Sequence, residues 1–218
     1  MGACCSAEGV ELPGCTAEEI ENLRKKGYLP VVAGPSHDFK GDNQLQTVYI
    51  AEYENGAEIT LLFLDEDRPN ACGDCFYDTI RKPLFGRSSD VESVIIIGDE
   101  VVFPGTYSAD QTWKEKVPHH GNTSVPLNKF EKHGDGSEFV IWSNTWNHLL
   151  GEKNNNPDME ITYQHAQPAG GRESMTNQHF VVRKGSRADV DARFKGLMTS
   201  VSAVMTPERE KALGKRLM

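Results

Sequence analysis

The chain lacks any apolar run long enough to cross a bilayer, since its longest, "TLLFL" and "SVIII", fall far short of the ~18 to 20 residues a spanning helix needs. It lacks basic surplus as well. Twenty-three Lys and Arg stand against thirty-two Asp and Glu, giving a net charge of −9, and no window gathers basic with aromatic residues. Nucleic acid is therefore excluded as the main partner. There is no internal repeat, no low-complexity tract, and no basic start followed by an apolar core such as a secretory signal requires. What is present is enough apolar content, 38%, to pack a core in a chain of 218 residues.

The opening hexapeptide "MGACCS" is the most informative stretch. Removal of Met1 exposes Gly2, with Ser6 four residues on, which fits the M-G-x-x-x-[ST] pattern of N-myristoylation. A single myristoyl chain binds membranes only marginally, so stable anchoring takes a second signal. A basic patch cannot supply it, because Glu8, Glu11, Glu18, Glu19 and Glu21 all precede the first cation, Arg24. Cys4 and Cys5 remain, as thiols open to S-palmitoylation. The stretch resembles the dual-acylation sequence at the start of many eukaryotic signalling proteins, a resemblance of six residues that points to no family. The alternative is a chance match with two exposed thiols.

Residues 1–15 read as a flexible acylated leader and 16–218 as a single domain. "TAEEIENLRKKG" predicts a short helix, with a Thr16/Glu19 capping box, a basic last turn and Gly27 as its stop. "GYLPVVAGPSHDFKGDNQ" reads as a connector in which Val31 and Val32 could pair at a sheet edge. "TVYIAEYENGAEITLLFL" predicts a hairpin with a type I′ turn at Asn55-Gly56, and "SVIIIGDEVVFPG" a second around Gly98 and Asp99. Further strands are expected at "EFVIW", "MEITYQ" and "QHFVVRK". Ser186 and Asp189 form another capping box, followed by Val190, Phe194, Leu197, Val201 and Val204 at helical spacing, and Thr206-Pro207 opens a last helix. The pattern implies an α+β fold: antiparallel hairpins in a central sheet, with helices at both ends.

Three groups of residues could carry chemistry. Cys72 and Cys75 make a C-x-x-C after a strand, where Cys72 would attack a disulfide and Cys75 resolve it. Asp65, Glu66, Asp67 and Asp74 nearby disfavour the thiolate, and the βαβ context of a thioredoxin-like enzyme is missing. The same pair could give half of a zinc site completed by His119 or His120, with His133 beyond; no cofactor other than that zinc is expected. Third, a strand continuing through "FVIWSNTWNHLL" would put Trp142, Asn144, Trp146 and His148 on one face, as a platform for a planar ligand. His148 is the candidate acid or base there, with Glu152 or His119 to orient it. The bland alternative is that both tryptophans are core. A formal glycosylation sequon at Asn122 conflicts with a cytosolic acylated protein, and the positionally constrained leader outweighs it.

Two functions remain open. One is a lipid-anchored binding or regulatory module on the cytoplasmic leaflet, bound to membrane lipid through its acyl chains and to a protein partner or small ligand through its folded domain. The other is an enzyme, either a thiol oxidoreductase using Cys72 and Cys75 or a His148-dependent enzyme.

Overall fold

The structure, a computed structural model, describes residues 11–39, 43–65, 89–134, 136, 138–169, 178–194 and 204–217. Its strands are β1 (Pro30–Pro35), β2 (Leu45–Tyr53), β3 (Gly56–Phe63), β4 (Asp90–Ile97), β5 (Glu100–Tyr107), β6 (Gly121–Pro126), β7 (Lys132–His133), β8 (Glu138–Ser143), β9 (Leu150–Gly151), β10 (Ile161–Gln167) and β11 (His179–Lys184). Nine of them follow one another in the order β1-β10-β11-β2-β3-β4-β5-β9-β8, and β8 pairs back onto β1, so the sheet is closed. β6 lies off this ring on β5, and β7 on β8.

This corrects the α+β expectation: the fold is a closed, mixed β-barrel, mostly sheet. Among the described residues the helices are short: α1 (Ala17–Lys25), α2 (Arg187–Asp191) and α3 (Pro207–Leu213). The hairpins β2–β3 and β4–β5 are antiparallel as expected, but parallel pairings of β1 with β8, β10 with β11 and β11 with β2 join them into the ring. The ring holds five antiparallel and four parallel joins. An odd number of reversals cannot close on straight strands. The chain turns at the β5–β9 corner, where β5 shifts register between Pro104 and Tyr107, Gly105 has φ +80°, and a single pair, Tyr107 with Leu150, joins the two strands.

Both faces of the wall are apolar, which is why β3 is buried at every position. One face contributes Ile59, Leu61, Phe63, Val94, Ile96 and Phe103 to the main core, against which α1 lays Ile20 and Leu23. The other is covered by α2, with Val190 on Tyr49, Leu62 and Val91, and by the α3 region, with Val204 and Leu213 on Ile95.

Local signals place the element ends. Both capping boxes form: Thr16 with Glu19, and Ser186 with Asp189. The helix opened by Ser186 ends at Asp191, earlier than its apolar spacing implies; Leu197 and Val201 lie outside the described residues. The β2–β3 turn also differs. Its loop residues are Glu54 and Asn55, since Tyr53 pairs with Gly56, and neither has positive φ, so the turn is not type I′. Gly56 is fixed by space, because a Cβ there would lie 1.9 Å from the Ile96 carbonyl oxygen.

Candidate functional site

Ser143 ends β8, and a tight turn then carries residues 144–149 to β9. Asn144 N–H donates to the Leu149 carbonyl at 2.9 Å and His148 N–H to the Thr145 carbonyl at 3.0 Å, while the Thr145 hydroxyl accepts from Leu149 N–H at 3.0 Å. This turn puts His148 at φ +54°, a left-handed conformation that costs a non-glycine residue about 1–2 kcal/mol. The strained backbone aims the imidazole into the barrel. There it stacks on Phe63, with centroids 3.8 Å apart and planes 3° from parallel. Nδ1 lies 3.0 Å from Asp90 Oδ2 at the start of β4, and Nε2 lies 3.5 Å from Asp38 Oδ2 in the turn after β1.

Two carboxylates thus clamp one ring out of reach of water: His148 is 0% exposed and Asp38 2%. Burial alone would strip the imidazole of its proton, but the Asp38 charge 3.5 Å away and the hydrogen bond and charge of Asp90 outweigh it and push its pKa up to about 10. Burial holds the Asp38 carboxyl above its usual range, and the neighbouring imidazolium offsets only part of that. Asn43 Nδ2 donates to Asp38 Oδ1 at 3.2 Å. A sealed imidazole that keeps its proton at neutral pH is a poor proton shuttle but an effective fastener between the turn after β1, the start of β4 and the β8–β9 corner.

The other expected site residues are distributed as follows. Trp142 packs edge-on against Tyr163 at 5.7 Å and contacts Val31, Ala33 and Val140. Asn144, fully buried, donates to Ser108 Oγ at 3.0 Å and the Lys153 carbonyl at 3.1 Å, and accepts from Asn155 N–H at 3.0 Å. Trp146 is 5% exposed, and its indole N–H donates to the Glu115 carbonyl at 2.8 Å. Trp142, Asn144, Trp146 and His148 are therefore all buried, and the contacts given for each are to different residues. Glu152 accepts from the Tyr107 hydroxyl at 3.3 Å, and exposed His119 exchanges hydrogen bonds with Gln111; Asp38 and Asp90 orient His148 instead. His120 Nδ1 sits 2.7 Å from the Gly105 carbonyl oxygen. Cys72, Cys75, Gly2, Cys4 and Cys5 lie outside the described residues. Among the described residues no three His, Cys, Asp or Glu groups are placed to hold a metal.

A second site has no signature in the sequence. Between α1, β2, β11 and the C-terminal segment lies a cavity of about 550 Å³, with Cys15, Leu23 and Ile50 on its floor. Its rim carries ion pairs Lys26–Glu52 and Lys184–Glu19, together with Arg216, which is bound to Asp189 at 2.7 Å. Burial, then the Glu19 charge, pushes the Cys15 thiol up to about 11, so this cysteine stays protonated and is no nucleophile. An apolar floor under charges of both signs suits a ligand with an apolar body and polar edges. Residues 12–15 join the fold beside this groove. Cys15 N–H donates to the Val182 carbonyl at 2.9 Å, Lys184 N–H to the Pro13 carbonyl at 2.8 Å, and Arg183 to the Leu12 carbonyl at 2.7 Å. Gly14 is held so close that a Cβ would lie 2.1 Å from that of Ala169.

Comparison with known proteins finds no match among family models, curated proteins or solved structures.

Proposed function

We propose that this chain is a lipid-anchored binding module on the cytoplasmic face of a membrane, myristoylated at Gly2 and palmitoylated at Cys4 and Cys5. The observation that carries the reading is the hexapeptide "MGACCS" on a chain of net charge −9, for which a second acyl chain is the available substitute for a basic patch. The root of the leader supports it. Residues 12–15 are tied to β11 by the hydrogen bonds above, so the seven residues from Cys5 to Glu11 can span at most about 25 Å. The groove lined by Cys15 and Lys184 would then work close to the leaflet, on a lipid-proximal ligand or protein partner. A binding role also agrees with the sealing of His148, the side chain best suited to acid–base work.

The test is fractionation of a C-terminal fluorescent fusion in eukaryotic cells. The unaltered chain is expected in the membrane fraction. Gly2→Ala is expected to be soluble, and Cys4→Ser/Cys5→Ser to bind weakly and reversibly, as one myristoyl chain does. An unaltered fusion found wholly in the soluble fraction would overturn the proposal.

A further inference from the structure

Three of the seven histidines, drawn from three strands, stand in a row. His165 of β10 is the middle ring, with His133 of β7 4.9 Å away and His179 of β11 6.5 Å away between centroids, the planes 53° apart in both pairs. His165 and His179 are register partners on adjacent strands. β7 does not pair with β10; among the described residues it joins the sheet through β8 alone, with Lys132 opposite Phe139 and His133 opposite Glu138. The His133 ring therefore bridges two strands that share no ladder. It also covers Tyr163 of β10 at 5.1 Å, and Tyr163 in turn packs on the edge of Trp142.

Neutral imidazoles pack at such distances freely, whereas two imidazolium ions there repel. The charged groups acting on His165 are His133 from β7, Glu138 from β8, His179 from β11 and Arg24 from α1. Glu138 is the one carboxylate of the four, and Arg24 Nε already holds it at 3.0 Å. On β7 Lys132 is exposed, and Glu131 before it acts on Tyr163. Burial, then the His133 charge, keeps the His165 imidazole below its usual range. All three rings are only half-buried, so protons from solvent reach them, unlike sealed His148.

We propose that the row of His133, His165 and His179 is an acid-sensitive latch: like charge on neighbouring rings drives the β7–β8 turn off β10 and uncovers Tyr163 and Trp142. The closed form binds protons less tightly than the open one, so closure is complete above the ordinary histidine value of about 6.5 and is lost as pH falls below it. Each proton taken up only on opening multiplies the opening constant by up to about tenfold per pH unit. His148 titrates above that window and in the opposite sense, so its clamp keeps the barrel shut while the latch opens. Opening is then local, ahead of global unfolding. The latch works whether or not the chain is acylated.

The test is amide exchange of the unacylated full-length chain between pH 7.5 and 5, corrected for the intrinsic pH dependence of exchange, with the imidazole resonances followed in the same samples. The opening constant at His133 and Glu138 is expected to rise at least tenfold over that range, while the β2–β3 amides keep their protection. His133→Gln and, separately, His165→Gln should hold the rise below threefold with an unchanged circular dichroism spectrum at pH 7.5. Should one variant fail to fold, the other decides. Three imidazoles that titrate with no change in exchange at the β7–β8 turn would overturn the inference, as would an equal rise in a folded variant or loss of β2–β3 protection in step with the turn. No acyl chain takes part, so failure here leaves the anchoring proposal standing, and the reverse.

Discussion

Replacing His148 with alanine is expected to remove about 3–5 kcal/mol of folding stability, the usual cost of taking one partner from a buried charge cluster. The substitution leaves Asp38 and Asp90 facing the same space without a cation, and it deletes the ring that covers Phe63. It also leaves the backbone strain, since alanine is no more at ease at φ +54° than histidine. His148→Asn should recover part of the loss, because asparagine tolerates the left-handed region and keeps a donor for Asp90. Urea unfolding followed by tryptophan fluorescence reads both variants. A loss for His148→Ala below about 1 kcal/mol would mean that the clamp does not hold the barrel corners together.

The same cluster sets the pH dependence, and its sign is the reverse of ordinary acid unfolding. Between the unfolded value for histidine, near 6.5, and the folded value of about 10, the native state keeps a proton that the unfolded chain has lost. Stability is therefore full below pH 6.5 and falls as pH rises through that window, with a limiting slope of about 1.4 kcal/mol per pH unit. Asp38 acts in the same direction at lower pH: its carboxyl, raised by burial, gains a proton in the native state before the unfolded chain does, so acidification through its window adds stability. Glu19, lowered by its hydrogen bond to Lys184, opposes this, but the pair lies at the surface, where solvent screens it, and contributes little. Urea midpoints at pH 7, 8, 9 and 10 should decline steadily for the unaltered chain and stay nearly level for His148→Ala. A decline of equal slope in both would assign the titration to other groups.

The elements with local signatures were legible in the residues. Thr16/Glu19 and Ser186/Asp189 close their capping boxes, and the two hairpins stand where their apolar runs imply. Closure was not legible. β1 carries no alternation because it is buried at all six positions, so Pro30–Pro35, with its proline ends, reads as a connector. Its partners, Phe139 to Trp142 and Ile161 to Gln164, lie more than a hundred residues away, and no local pattern encodes such pairing. His148 was legible as an unusual residue and not as a clamped one, because Asp38 and Asp90 reach it through tertiary structure alone. The shared face expected for Trp142 through His148 assumed that β8 ran on, whereas it stops at Ser143 and the turn sends each side chain elsewhere. The groove left no trace because its rim draws on residues from 19 to 216.

The anchoring proposal meets its most direct test in intact-mass spectrometry of the full-length chain isolated from eukaryotic cells, before and after hydroxylamine, which cleaves thioesters but not amides. Loss of Met1, a myristoyl group that survives hydroxylamine, and palmitoyl groups that do not are the expected result. A free or acetylated amino end with unmodified Cys4 and Cys5 would contradict it.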